Sequence, residues 1–244
     1  MATALQTLTR PYRNKLLTYL GPADLARLEP HLQLVSLGVQ QQLYDHRQHL
    51  THIYFPLSGV VALMRSLSDG EMAQVASVGN EGVVGYGALI DAPIASGLAV
   101  VQLPGEALRV ETPVIQKYAL EHPRFRTVAM HYGHVLISHL MQSVVCHRFH
   151  STHQRYAKWL LQTHDRAHRD IFPLTQEIVA QTLGVRRATV SEVSRLVQKT
   201  GAVGYGRGLI AVRDRASLVA QACECYATAQ EEYERLLDLP EPKA

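Results

Sequence analysis

The stretch LTQEIVAQTLGVRRATVSEVSRLVQK, residues 174–199, constrains the fold of this chain more than any other. Apolar residues recur at helical spacing through Ile178, Val179 and Leu183, stop at Gly184, and resume through Val185, Val190, Val193 and Leu196. This pattern predicts two short amphipathic helices around one glycine. Ala180 is small where the helices would cross, and Gly184 can take the positive φ of a sharp turn at little steric cost. Val190 and Val193 would hold the second helix on the first. Arg187, Ala188, Ser191, Glu192 and Arg195 would then face outward, as a helix-turn-helix presents side chains to the major groove of double-stranded DNA. Thr175 and Gln176 at the start of the first helix, with Arg186 and Thr189 at the turn, complete the expected contact set. The run GAVGYGRGLIAVRD that follows has glycines at 201, 204, 206 and 208 around short β-forming pieces. It reads as a hairpin, a wing, with Tyr205 and Arg207 near its tip.

The formal charge over 244 residues is only +3, too mild by itself to indicate a nucleic-acid partner. The grouping of Arg186, Arg187, Arg195, Lys199, Arg207, Arg213 and Arg215 is the stronger signal. With 47% hydrophobic residues the chain can bury a full core in one or two domains. Cys146, Cys223 and Cys225 are an odd number and make no disulfide framework, which suits a reducing cytosol. No signal-peptide core and no apolar run of membrane-spanning length is visible, so the expectation is a cytoplasmic protein without a membrane partner.

Taken in order, residues 1 to about 30 read as short helices, the second beginning after the Gly21-Pro22 break. From Leu32 to Val110 the pattern is of short strands, LQLVSL, HIYFPL, GVVALMRSL, EMAQVASVG, LAVVQL and ALRV. Asp69-Gly70 supplies the clearest hairpin turn. The economical fold is an antiparallel, jelly-roll-like β-roll of about eight strands, followed by helices, an α+β class. A long helix starts after His122-Pro123. Phe125, Val128, Tyr132 and Val135 recur at heptad spacing, with Leu136 and Leu140 alongside, and are the expected dimerisation residues. Ser151 and Gln154 make a capping box that starts a separate helix. The expected organisation is therefore residues 1–121 as helices and β-roll, 122–150 as dimerisation helix, and 151–244 as winged helix-turn-helix. A last continuous helix is expected from Ser217 to Leu237.

With a β-roll, a long helix and GVRRATVS at the turn, the chain resembles the Crp/Fnr family of bacterial transcription regulators over roughly residues 30–215. HIYFPLSGVVALMRSLSDGE is similar to the family's strand-glycine-strand hairpin. The resemblance implies a homodimer on a palindromic operator, a sensor pocket in the β-roll, and RNA polymerase as a further candidate partner. It places the effector pocket at Gly85, Tyr86, Ser96, Gly97 and Tyr132. In cyclic-nucleotide-binding members the phosphate is held by a glycine-glutamate pair and an arginine-serine pair; here Tyr86 follows Gly85, and Ser96-Gly97 stands in the second place. A cyclic nucleotide is therefore not expected, and the effector has no name. Arg187 matches the family's guanine-reading arginine, whereas Ala188 and Glu192 depart from the common residues.

No cofactor or metal site is expected. His46, His49 and His52 alternate along a turn and strand, so they do not converge. His131 and His134 read as polar positions on a partly exposed helix. The Ser151 cap separates Cys146 from His150, and Cys223 and Cys225 lie about 200° apart around one helix. A regulator sensing metal, haem or redox state through its His and Cys residues is the alternative reading. A cupin-like metalloenzyme lacks the clustered His and Glu ligands it would need, and no catalysis is expected. A regulator docking a protein partner through its C-terminal helix is the third class.

Overall fold

The computed structural model describes residues 13–70 and 72–238; expectations for residues 1–12 and for Glu71 lie outside these. Two short helices, α1 (Lys15–Thr18) and α2 (Pro22–Leu28), open the described chain, the second with Pro22 in its first turn. Asn14 caps α1, and its buried amide donates to the carbonyls of Pro56 and Gly82, which fixes the helix on the sheet domain.

Seven strands follow: β1 (Gln33–Leu37), β2 (Gln42–Tyr44), β3 (His52–Pro56), β4 (Val60–Ser66), β5 (Met72–Val78), β6 (Leu98–Leu103) and β7 (Gly105–Glu111). They form two antiparallel sheets, ordered β1-β7-β3 and β2-β6-β4-β5. β6 alternates strictly between half-buried and buried residues, the signature of a strand with one face in a core. Leu37, Val61, Val78, Ala99, Val101 and Ala107 close the interior between the sheets. This is the expected β-roll, with seven strands where about eight were expected. β2 went unread because QLY is too short to show alternation. The β4–β5 hairpin pairs Ser66 with Met72 across a turn in which Gly70 takes φ 88°.

A helix α3 (Thr112–Glu121) leads into α4 (Pro123–Phe149), the long helix. Phe125, Val128, Tyr132 and Val135 are 1–3% exposed and pack into the protein's own core with Phe55, Leu57, Val110 and Ile115. They are not free for a partner, contrary to the expectation. The heptad stripe read from the sequence is the face that covers the β-roll. A second stripe of α4 is exposed: Met130 62%, Ile137 57%, Met141 67% and Val144 71%. With exposed His134, these positions follow the alternating spacing of four and three that a helix-pairing seam requires. Leu136 is half-buried and Leu140 is 41% exposed, at the edge of this stripe.

His150 breaks the helix, and Ser151 and Gln154 form the expected capping box of α5 (Thr152–Ala167). Then come β8 (Ile171–Pro173), α6 (Gln176–Leu183), α7 (Arg187–Lys199), β9 (Val203–Gly206) and β10 (Leu209–Val212). β8 adds an unforeseen third strand to the wing, which is ordered β8-β10-β9.

The C-terminal helix is not continuous. α8 (Arg215–Gln221) ends at an extended Ala222, and α9 (Cys225–Leu237) restarts after Glu224 and turns back along α4. Tyr233, Leu236 and Leu237 of α9 join the β-roll core, and His139 of α4 lies 3.1 Å from the Ala229 carbonyl. The apolar face expected to meet a protein partner is thus already covered.

Two polar contacts bring the winged helix against the roll. Arg166 of α5 holds Glu81 through two bonds, Nη2 to Oε1 at 2.6 Å and Nε to Oε2 at 3.1 Å, and donates to Ser77 at 2.7 Å. Thr182 of α6 meets Gln74 at 2.9 Å and Gln102 at 2.7 Å. Burial works against the Glu81 carboxylate, but the Arg166 guanidinium and the Gly79 N–H outweigh it and hold its pKa below the ordinary 4.5.

Among the described residues no helix is long and apolar enough to cross a membrane.

Candidate nucleic-acid interface

Gly184 adopts φ 62° at the end of α6, so the chain turns there without a Cβ penalty. Thr175 caps α6 by accepting from the Ile178 N–H at 3.3 Å. Val190, Val193 and Val197 are 0–5% exposed and seat α7 on α5 and α6. Val197 takes the place expected of Leu196, which is 45% exposed. Both lie within helical reach of Val193, and at 3.6 residues per turn the buried stripe runs on to Val197.

The outward face is as expected except at Ser191. Arg186, Arg187, Ala188, Glu192 and Arg195 are exposed, and Thr189 and Ser191 are half-buried beside them. Ser191 donates to Gln176 at 3.3 Å, which links the two helices at their outer edge. Arg187 forms an ion pair with Glu177 in the first turn of α6, a partner that no sequence signal indicated. Arg186 caps α7 with no side-chain acceptor, so the first N–H groups of the helix keep free valence toward the same surface.

The wing departs from the expectation at two residues. Arg207 sits at the tip with φ 49°, followed by Gly208 with φ 75°. Tyr205 does not join it: its hydroxyl touches that of Tyr156, itself held by Ser194 at 3.2 Å, and burial raises its pKa. Tyr205 is an inward residue of the alternating strand, not a tip residue. Arg215 likewise turns inward, pairing with Asp165 at 2.7 Å and with the Tyr226 hydroxyl, and leaves the basic group.

Residues 154–221 match the family model described as a Crp-like helix-turn-helix domain. This is a Crp-like helix-turn-helix on a Crp/Fnr fold. Solved structures agree over most of the chain. FixK2 from Bradyrhizobium japonicum is 19% identical, with a TM-score of 0.67 over 79% of this chain and 98% of that one. A CRP-family transcriptional regulator from Thermus thermophilus is 18% identical, with a TM-score of 0.62 over 77% and 96%. CLP from Xanthomonas campestris, described as a c-di-GMP responsive global regulator, is 13% identical, with a TM-score of 0.60 over 78% and 98%. Comparison of the sequence with curated proteins gives no match.

In this Crp/Fnr fold, the residues assigned to an effector pocket are scattered between core and surface. Gly85 takes φ 91° and opens a 3₁₀ turn over Tyr86–Ile90. The Tyr86 ring packs edge-on against Tyr132 at 5.9 Å, and its hydroxyl lies over Gly133 of α4. Tyr132 is 2% exposed, with its hydroxyl against the Gly82 backbone. Gly97 lies too close to the Met64 carbonyl to carry a side chain. A guanidinium absent from the sequence reading does reach this place: Arg65 of β4 donates to the Ser96 carbonyl and lies 3.4 Å from His46 Nδ1. It comes from the neighbouring strand of the sheet, which linear inspection of the Ser96-Gly97 segment does not reveal.

His131 and His134 are half-buried and exposed polar positions of α4, in line with the sequence, whereas the cysteines come together. His131 turns its Nδ1 to the Leu236 carbonyl at 2.7 Å and does not pair with His134. Cys146, His150, Cys223 and Cys225, expected to stay apart, converge: their ligand atoms all lie within 4.8 Å of one another. The break between α8 and α9 is what permits it.

Proposed function

We propose that the chain is a transcription regulator that binds an inverted-repeat operator as a homodimer, with α7 in the major groove. The observation that supports this reading most is the exposed row of Arg187, Ala188, Glu192 and Arg195, with half-buried Ser191 beside it, on a helix whose opposite face is seated by three valines. Arg187 is suited to a guanine edge, Ala188 to a thymine methyl, and Glu192 to a cytosine amino group. Arg186 and Arg207 flank them at positions suited to phosphates. Thr175, Gln176 and Thr189 complete the contact surface.

In this reading residues 1–121 form the sensor, 122–150 pair two copies, and 151–244 bind DNA. The pairing residues are the exposed stripe Met130, Ile137, Leu140, Met141 and Val144, in place of the buried one. A two-fold dimer sets two recognition helices roughly 34 Å apart, one turn of DNA. RNA polymerase is a further partner by the family resemblance alone. Tyr86, which packs on Tyr132, follows Gly85 where cyclic-nucleotide-binding members carry a glutamate, and this supports an effector other than a cyclic nucleotide.

Selection from a random duplex library tests the reading. The expected result is an inverted repeat with one guanine per half-site and neighbours that differ from TGTGA. Enrichment of a site without a dyad, or of an unaltered TGTGA palindrome, contradicts it.

A further inference from the structure

The end of α4 and the break between α8 and α9 meet at a cluster that the DNA-reading surface does not use. Cys146 is 0% exposed, Cys223 4% and Cys225 1%, and together they form a buried group separate from the three apolar cores. The Cys146 and Cys223 sulfurs are 3.6 Å apart, and the Cys225 sulfur is 3.4 Å from His150 Nδ1. In a tetrahedral zinc site with bonds of about 2.3 Å to sulfur and about 2.05 Å to nitrogen, the edges are about 3.8 Å for S···S and about 3.5 Å for S···N. These two separations match edges of such a tetrahedron.

The surroundings fit the same ion. Gln142 places its amide N–H₂ 3.0 Å from the Cys225 sulfur, and Lys158 its ammonium 3.4 Å from the Cys146 sulfur. These donors suit thiolates, and the one positive charge of Lys158 offsets the net negative charge of a dication with three thiolates. The other ring nitrogen of His150 faces the exposed Glu224 carboxylate across 3.9 Å, beyond hydrogen-bond reach but on the side from which a carboxylate would orient a metal-bound imidazole. Thiols buried merely as small apolar groups would have aliphatic neighbours rather than an amide and an ammonium aimed at sulfur. A cavity of about 110 Å³ lined by Gln142, His147, Lys158 and Cys225 adjoins the cluster and gives an ion a way in.

The geometry points to a closed, mononuclear Cys₃His site for a thiophilic divalent cation of the zinc type, formed by Cys146, His150, Cys223 and Cys225. Three thiols lose their protons to solvent as three metal–sulfur bonds form, and neutral His150 contributes its Nδ1 lone pair. Four protein ligands leave no open position, so the role is structural: the ion staples the last turn of α4, at the hinge before α5, to the start of α9. The site stands independently of the DNA-binding reading, because its test measures metal and not operator.

Full-length protein, purified in reducing buffer without chelator, should hold one zinc per chain. After zinc is removed, titration with Co²⁺ should give intense tetrahedral visible bands and a sulfur-to-cobalt charge-transfer absorption that saturates at one equivalent and is displaced by Zn²⁺. Gln142→Ala leaves all four ligands in place and should weaken Zn²⁺ binding about tenfold or more. Cys223→Ser should abolish the charge-transfer pattern of three thiolates. If Cys223→Ser fails to fold, the wild-type cobalt spectrum still decides the matter. Cobalt spectra without sulfur charge transfer, or zinc retained undiminished in a folded Cys223→Ser, each overturns the proposal.

Discussion

The Arg187–Glu177 pair between α7 and α6 and the Arg166–Glu81 pair at the junction with the β-roll are the same chemistry in opposite settings. The first is open to solvent, with side chains 69% and 41% exposed; the second is closed, at 12% and 18%. An exposed pair contributes little to stability, so Arg187 can leave Glu177 for a base edge at small cost. A largely buried two-point pair is different, because removing one partner strands a charge that is mostly desolvated. On the proposed DNA-binding reading, this end is held loosely where it would exchange partners. The junction above it is held firmly, and that firmness sets the position from which the helix is presented.

This contrast sorts substitutions by what they change. Along α4 the two heptad stripes should separate cleanly. Met141→Glu, on the exposed stripe, sets like charges facing one another across a two-fold seam, at a cost of several kcal/mol to association. Sedimentation should show a monomer with helix content preserved, whereas Val135→Glu should unfold the roll because that side chain is 1% exposed. A Met141→Glu protein that remains a dimer at micromolar concentration would move the pairing surface elsewhere.

Next in size is Glu81→Gln, which strands Arg166 and should lower unfolding stability by about 3 kcal/mol. The pH dependence has a definite sign. The folded pKa of Glu81 lies below its ordinary value of 4.5, so the pair's contribution is complete above that value and is lost as pH falls through the folded pKa. Denaturant titrations of wild type and Glu81→Gln should therefore converge in acid. A constant gap between them down to pH 3 would show that Glu81 does not carry the junction.

The same contrast explains what was legible in the sequence. The helix-turn-helix was readable because Ala180, Gly184, Val190 and Val193 are neighbours along the chain, and helical period alone decides which of them meet. On α4 both stripes obey the same spacing, and Phe125, Val128, Tyr132 and Val135 looked like a pairing face. Only the position of the β-roll tells the covered stripe from the exposed one. Tyr205 and Arg215 were misplaced for a related reason, since their inward partners Tyr156 and Asp165 lie on another helix. The cysteine cluster was illegible because Cys146 and Cys223 are 77 positions apart and the helix break at Ala222 carries no glycine or proline. Arg65 reached the Ser96 carbonyl through strand pairing, which one stretch of sequence cannot display.

The most direct test of the account is fluorescence anisotropy with wild type, Arg187→Ala and Arg186→Ala, each on the selected operator and on a scrambled duplex at fixed salt. Arg187→Ala should lose about 1–3 kcal/mol on the operator and much less on the scrambled duplex, because a guanine edge is read only where the guanine is present. Arg186→Ala should weaken both duplexes alike and reduce the salt slope by about one. Equal losses on the two duplexes for Arg187→Ala would contradict the claim that α7 reads the operator's bases.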